Sequence, residues 1–172
     1  MIRQNARSIP VGSEDDVVIR PDRGATGFRD RRDEALPTTD PAAFRGACFA
    51  AMPGGRSRPG RVVPADGCTF HLLPLPDGGG PPGLRSALCH AHLPLVAFTG
   101  VRPEPGSPPS GFLDPPLPAD VFPAHGLRVL TTIELATPVE HLDLHGLAAA
   151  ERDQIRYWRP RNYGELLFNW WD

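Results

Sequence analysis

Forty positions of this 172-residue chain are Pro or Gly, and 35 of them fall within the first 125 residues, leaving five for the last 47. Pro fixes φ and removes a backbone donor, while Gly raises the entropy lost on ordering, so neither suits the interior of a helix or a central strand. The first 125 residues can therefore hold only short elements separated by turns. Longer regular structure is confined to the C-terminal quarter. A chain of this length is enough for one domain with a real core. The expectation is an α+β fold: a small mixed body of short strands, a C-terminal helix pair and a largely disordered N-terminal arm.

Residues 1–39 carry scattered single hydrophobes, with one short candidate strand at 17–19, and offer too little apolar surface to offset chain entropy. They are expected to form the disordered arm. Residues 40–61 read as a short helix and a Pro/Gly linker. Asp40 is a favoured N-cap, Pro41 suits the first helical position, and Phe44, Cys48 and Ala51 share one face. Residues 62–172 make the single α+β domain, with an internal Pro-rich loop at 102–118.

Within that domain, 68–75 is a short or edge strand because Pro74 and Pro76 cannot donate to a ladder. A loop follows at 77–83. Residues 84–90 can form two helical turns, and 92–98 is a continuous apolar run of buried-strand length. Residues 127–135 have the best β-branched content and predict a strand, with a further extended segment at 139–144. A helix is expected from Leu147 to about Trp158, stopped by Pro160. For the final helix, Asn162 is the N-cap with Glu165 three residues on. Tyr163, Leu166, Leu167, Trp170 and Trp171 then form one stripe, with Phe168 off it.

All 18 basic residues are Arg, and the net charge is −2, which argues against nucleic acid or an acidic membrane as a partner. No secretory signal pattern or membrane-spanning apolar run is present, so a cytoplasmic protein is expected. Three Cys without such a signal argue against a disulfide framework.

Two constellations could carry chemistry. Cys68-x2-His71 and Cys89-x2-His92 have the ligand count and rough spacing of a tetrahedral structural zinc site. Zinc is the one candidate cofactor. Cys89 beside His90 and His92 also suggests a thiol near a base, although adjacency in sequence supplies no catalytic geometry. His141 and His145 share a face whether the segment is helical or extended, and solvated polar alternation accounts for them. No P-loop, Rossmann glycine fingerprint, nucleophile elbow or kinase motif occurs.

Six of the thirteen aromatic residues lie in the last sixteen positions, among them all three Trp. The ending Ile155-Arg-Tyr-Trp-Arg-Pro160, then Gly164, then Phe168-Asn169-x-Trp171-Asp172, resembles the C-terminus of small uncharacterised bacterial proteins. That likeness covers about the last 26 residues and implies no activity. The leading functional expectation is a non-enzymatic interaction protein, with an unidentified protein partner bound through Arg156, Trp158, Arg159, Phe168 and Trp171, since Trp and Arg often dominate interfaces. The alternative is a zinc-stabilised binding domain using Cys68, His71, Cys89 and His92. A small thiol- or His-dependent enzyme ranks third.

Overall fold

The computed structural model describes residues 18–52, 60–75 and 82–171. Its described strands form one five-stranded sheet. Strands β1 (Phe70–Pro74), β2 (Ser86–His90) and β3 (Leu95–Thr99) are consecutive and antiparallel. On the far side of β3, β4 (Phe112–Leu113) pairs antiparallel with its C-terminal end, and β5 (Arg128–Val129) pairs parallel with its N-terminal end. The outer edge of β1 is covered by Val63, which exchanges two backbone hydrogen bonds with Leu72.

The sheet is covered on both faces, which is why β2 and β3 are buried at every position. On one face, Leu73, Ala87, Cys89, Val96 and Phe98 meet helix α1 (Pro41–Ala51) and a 3-10 helix (Ala119–His125). On the other, Phe70, Leu88, Leu95 and Ala97 meet α2 (Thr132–Ala136), α3 (Ala149–Trp158), α4 (Tyr163–Leu167) and the tail that follows. Alternation along each strand sends successive side chains to opposite layers. Helix α1 starts as its sequence dictates: Asp40 accepts from Ala42 N–H and Pro41 occupies the first turn.

Four expectations differ from the fold. Residues 84–90 were expected as helical turns, but 86–90 form β2. Over so short a run, periodicity does not separate helix from strand, and the β1 and β3 ladders on either side decide the matter. The strand expected at 127–135 stops after Val129, because Thr131 and Glu134 make a capping box that starts α2. In place of an extended 139–144, Val139–His141 is a 3-10 turn. The final helix keeps its N-cap, with Asn162 accepting from Glu165 N–H, but it ends at Leu167.

Thr69 explains that early ending. Its hydroxyl donates to Leu167 O at 2.6 Å and accepts from Asn169 N–H at 2.9 Å, while its own N–H donates to Asn169 O at 3.0 Å. The backbone groups that would continue the helix are spent on β1's approach instead. At Gly164, a Cβ would lie 2.8 Å from the Phe112 ring, so the glycine lets β4 and α4 approach closely.

The arm is also ordered further than its composition predicts. Residues 18–39 are seated on the body, and Ala25 and Thr26 are fully buried in a turn over residues 22–27. Polar anchoring replaces the missing apolar area. Glu151, itself fully buried, accepts from Gly24 N–H at 2.9 Å, Thr26 N–H at 3.3 Å and the Thr26 hydroxyl at 3.2 Å through one oxygen, and from Ala148 N–H through the other. His90 donates to Ala25 O at 3.0 Å. Gly27 has φ +79°, and a Cβ there would sit 2.7 Å from Thr69, so both conformation and space call for glycine. Val17 of the candidate strand at 17–19 and most of the expected 77–83 loop lie outside the described residues, as does part of the 53–61 linker.

Candidate functional site

Helix α3 buries Glu151 and Ile155 one turn apart and turns its last residues outward. Tyr157 is 75% exposed and Trp158 41% exposed, the largest exposed aromatic pair among the described residues. The Trp158 ring is held on both sides. Its Nε1–H donates to Gln154 Oε1 at 3.1 Å, one helical turn back. Its face stacks on Trp171, with ring centroids 6.1 Å apart and planes only 6° from parallel, an offset stack. Tyr157 meets Trp158 edge-on at 5.2 Å.

Trp171 reaches this stack because α4 has already ended. Asn169, bound to Thr69 and to Leu166 O, accepts from Trp171 N–H at 3.2 Å through its side chain, which fixes the turn of the tail. The result is a ridge of Tyr157, Trp158 and Trp171, flanked in the chain by the exposed Arg156 and Arg159.

The charges along the ridge are not equivalent. Arg156 pairs with Asp153 on the same helix. Arg161 makes a two-pronged bond to Glu165, at 2.8 and 2.6 Å, which raises the Arg161 pKa further. The guanidinium of Arg159 has no hydrogen-bond or ion-pair partner among the described residues. Its backbone is also unusual: Arg159 caps α3 with φ 52° and ψ 56°, the single described non-glycine residue with positive φ. Gly is the favoured residue there, and a following proline, Pro160, further disfavours helical backbone.

Of the residues the sequence suggested, Trp158 and Trp171 stack on each other, and Arg156 and Arg159 are exposed beside Trp158 in the chain. Phe168 is fully buried, with Phe70, Phe112 and His90 rings 6.0 to 6.2 Å from its own. As the C-cap of the shortened α4 it turns into the sheet layer, so it builds the core and is unavailable to a partner. Tyr157 was the residue missed. It falls off the Leu147, Ala150, Ile155 and Trp158 face, a signal present in the helical projection.

The zinc quartet is not assembled. Cys68, His71 and His92 line one cleft of about 630 Å³ beside the start of α1, but Cys89, which lies opposite His71 in the β1–β2 ladder and so shares its face, is buried in the core with Ala47 and Cys48 and does not line the cleft. Burial pushes the Cys89 thiol pKa well up, against the thiolate a metal would need. His71 Nδ1 accepts from Ala65 N–H at 3.0 Å, which leaves the proton of the neutral ring on Nε2, a buried nitrogen without a hydrogen-bond partner among the described residues. His92 is the opposite tautomer: Nδ1 donates to Pro37 O at 2.9 Å and Nε2 keeps its lone pair. Among the described residues, no group of three or more His, Cys, Asp or Glu is placed to hold a metal ion.

Nor do Cys89 and His90 form a nucleophile and base. His90 is fully buried, its Nδ1 accepting from His92 N–H at 3.1 Å and Leu93 N–H at 3.0 Å. Burial lowers its pKa to about 3, against a smaller upward pull from the Ala25 carbonyl, so at neutral pH it is a structural staple without charge. His145 does contact Asp143, at 2.7 Å, with Arg20 on the other carboxylate oxygen, but on an open surface. No described helix is long and apolar enough to cross a membrane.

No protein-family model, curated protein or solved structure matches this chain.

Proposed function

We propose that this is a binding protein whose working surface is the ridge of Tyr157, Trp158 and Trp171 with the flanking Arg156 and Arg159, used to engage a protein partner. The observation that carries this reading is the exposure of Tyr157 and Trp158 at 75% and 41%, with the Trp158 ring held by Gln154 and Trp171 and Tyr157 set edge-on against it. Leaving two large aromatics in water forgoes the gain of burying them, on the order of 1.5–3 kcal/mol for a large apolar side chain. Rings fixed before contact lose little rotamer entropy on binding, which favours a recognition role over incidental exposure. Isolated exposed residues such as Ile133 carry no such argument, since single surface hydrophobes are normal.

The test is affinity capture with the full chain and with Tyr157→Ala and Trp158→Ala variants. Tyr157 makes no core contact, so its variant keeps the fold. Loss of the same captured proteins from both variants supports the ridge. An unchanged set of captured proteins, with both variants folded, removes it.

A further inference from the structure

Building on the ridge as the binding surface, we infer that it reads an acidic segment of a protein partner, with Arg159 taking a carboxylate while an adjacent apolar side chain lies on Tyr157 and Trp158. Three observations converge on Arg159. The residue is exposed and its guanidinium has no partner among the described residues, while Arg156 and Arg161 are already neutralised by Asp153 and Glu165. Its backbone occupies left-handed space that glycine would take at no steric cost. The body around it is acidic: residues 62–172 hold seven Arg against twelve Asp and Glu, and residues 151–172 hold four of each.

Among the described residues, Arg159 is therefore a positive charge without an opposite partner, set on a body that is negative as a whole. A partner approaching the ridge with acidic groups meets attraction there and repulsion elsewhere, which selects orientation. Arg159 suits a carboxylate because its planar donor fork matches the two oxygens. Its neighbour Trp158 supplies the apolar contact within one residue. The same chemistry could stack bases and bind phosphates, so a nucleic acid is the competing occupant to be tested.

The experiment uses the immobilised full chain and a phage-displayed random dodecamer library, followed by anisotropy titrations of the enriched peptides against the wild type, Arg159→Gly and Tyr157→Ala. The expected result is enrichment of peptides with Asp or Glu beside an aliphatic or aromatic residue. Affinity for them should fall about tenfold in each variant, as losing one charge-assisted contact or one aromatic anchor implies. Arg159→Gly should at the same time raise Tm by about 2–4 °C, because it relieves the left-handed backbone. A purely structural Arg159 would not couple higher stability to lost binding.

Weakening by Tyr157→Ala with none by Arg159→Gly would overturn the acidic partner and leave the ridge standing. Insensitivity to both variants, or no enriched peptide, would overturn both. Tighter binding of a short oligothymidylate than of any selected peptide would replace the acidic segment with nucleic acid.

Discussion

Lowering the pH from 7 to 4 should weaken the fold by about 3 kcal/mol through His90 alone. In the folded chain this imidazole titrates at about 3, against 6.5 for a free one, because it is enclosed on all sides. Its Nδ1 is already committed to the His92 and Leu93 N–H groups, so a proton there would face two donors. Between those two values the unfolded chain binds a proton that the folded chain refuses, so stability falls as pH drops below 6.5 and levels off below about 3. The full difference of about 3.5 pH units corresponds to roughly 5 kcal/mol, of which about 3 has been lost by pH 4. In urea titrations that is a midpoint shift of roughly 1–3 M, given m-values of about 1–3 kcal/mol/M. Other histidines and the carboxylates add their own slopes, so the comparison is with His90→Asn, whose side-chain oxygen can accept the same two N–H groups and cannot titrate. The variant starts lower at pH 7, having lost the bond to Ala25 O, by about 1–3 kcal/mol. Its midpoint should then fall less steeply than the wild type's. Parallel curves between pH 6.5 and 4 would refute the reasoning, as would a His90 ring that titrates near 6 by NMR in the folded protein.

Removing the buried carboxylate in Glu151→Ala strips partners from Gly24, Thr26 and Ala148 together, and should cost about 3–5 kcal/mol in urea unfolding. A loss below about 1 kcal/mol would mean the 22–27 turn is not held this way. Thiol labelling of the native protein should modify Cys68 first. Cys48 and Cys89 are buried in the core, the Cys48 thiol pushed up to about 12, and they should react only as the chain unfolds. Equal rates for all three would contradict the packing of α1 on β2. Phe168→Ala should cost about 3–5 kcal/mol as a fully buried aromatic truncation, whereas Tyr157→Ala should stay within about 0.5 kcal/mol of the wild type. Thermal melts that reverse this order would move Phe168 to the surface and Tyr157 into the core.

What the sequence disclosed was mostly local. Asp40 with Pro41 and Asn162 with Glu165 place helix starts where the structure has them, because capping is decided within four residues. The short strands β1 and β3 follow from apolar runs cut by proline. The errors came where a distant partner decided the outcome. Thr69 ends α4 from about 100 positions away, and that one contact moves Phe168 inward and Trp171 out to the ridge. Residues 84–90 became a strand because of ladders that local periodicity cannot register. Thr131 with Glu134 is the exception: a capping pair legible in the sequence, hidden behind strong β-branched content. Of the residues proposed for binding, Trp158 and Trp171 stack while Phe168 is buried, and the Cys/His quartet matched a spacing rule although Cys89 lies in the core and outside the cleft that the other three line.

The turn over residues 22–27 has a consequence for how the chain is made. Besides His90, 65 positions on, its anchors lie 125 to 143 positions away, at Glu151 and Asn169. A chain emerging from its N-terminal end must keep this turn unplaced until those residues have been synthesised. Contacts of such long separation slow folding, because loop closure comes before the gain. Translation should therefore leave the face of β1 and β2 that carries Phe70 and Leu88 uncovered from the completion of β2 at His90 until Glu151 and Asn169 have been made.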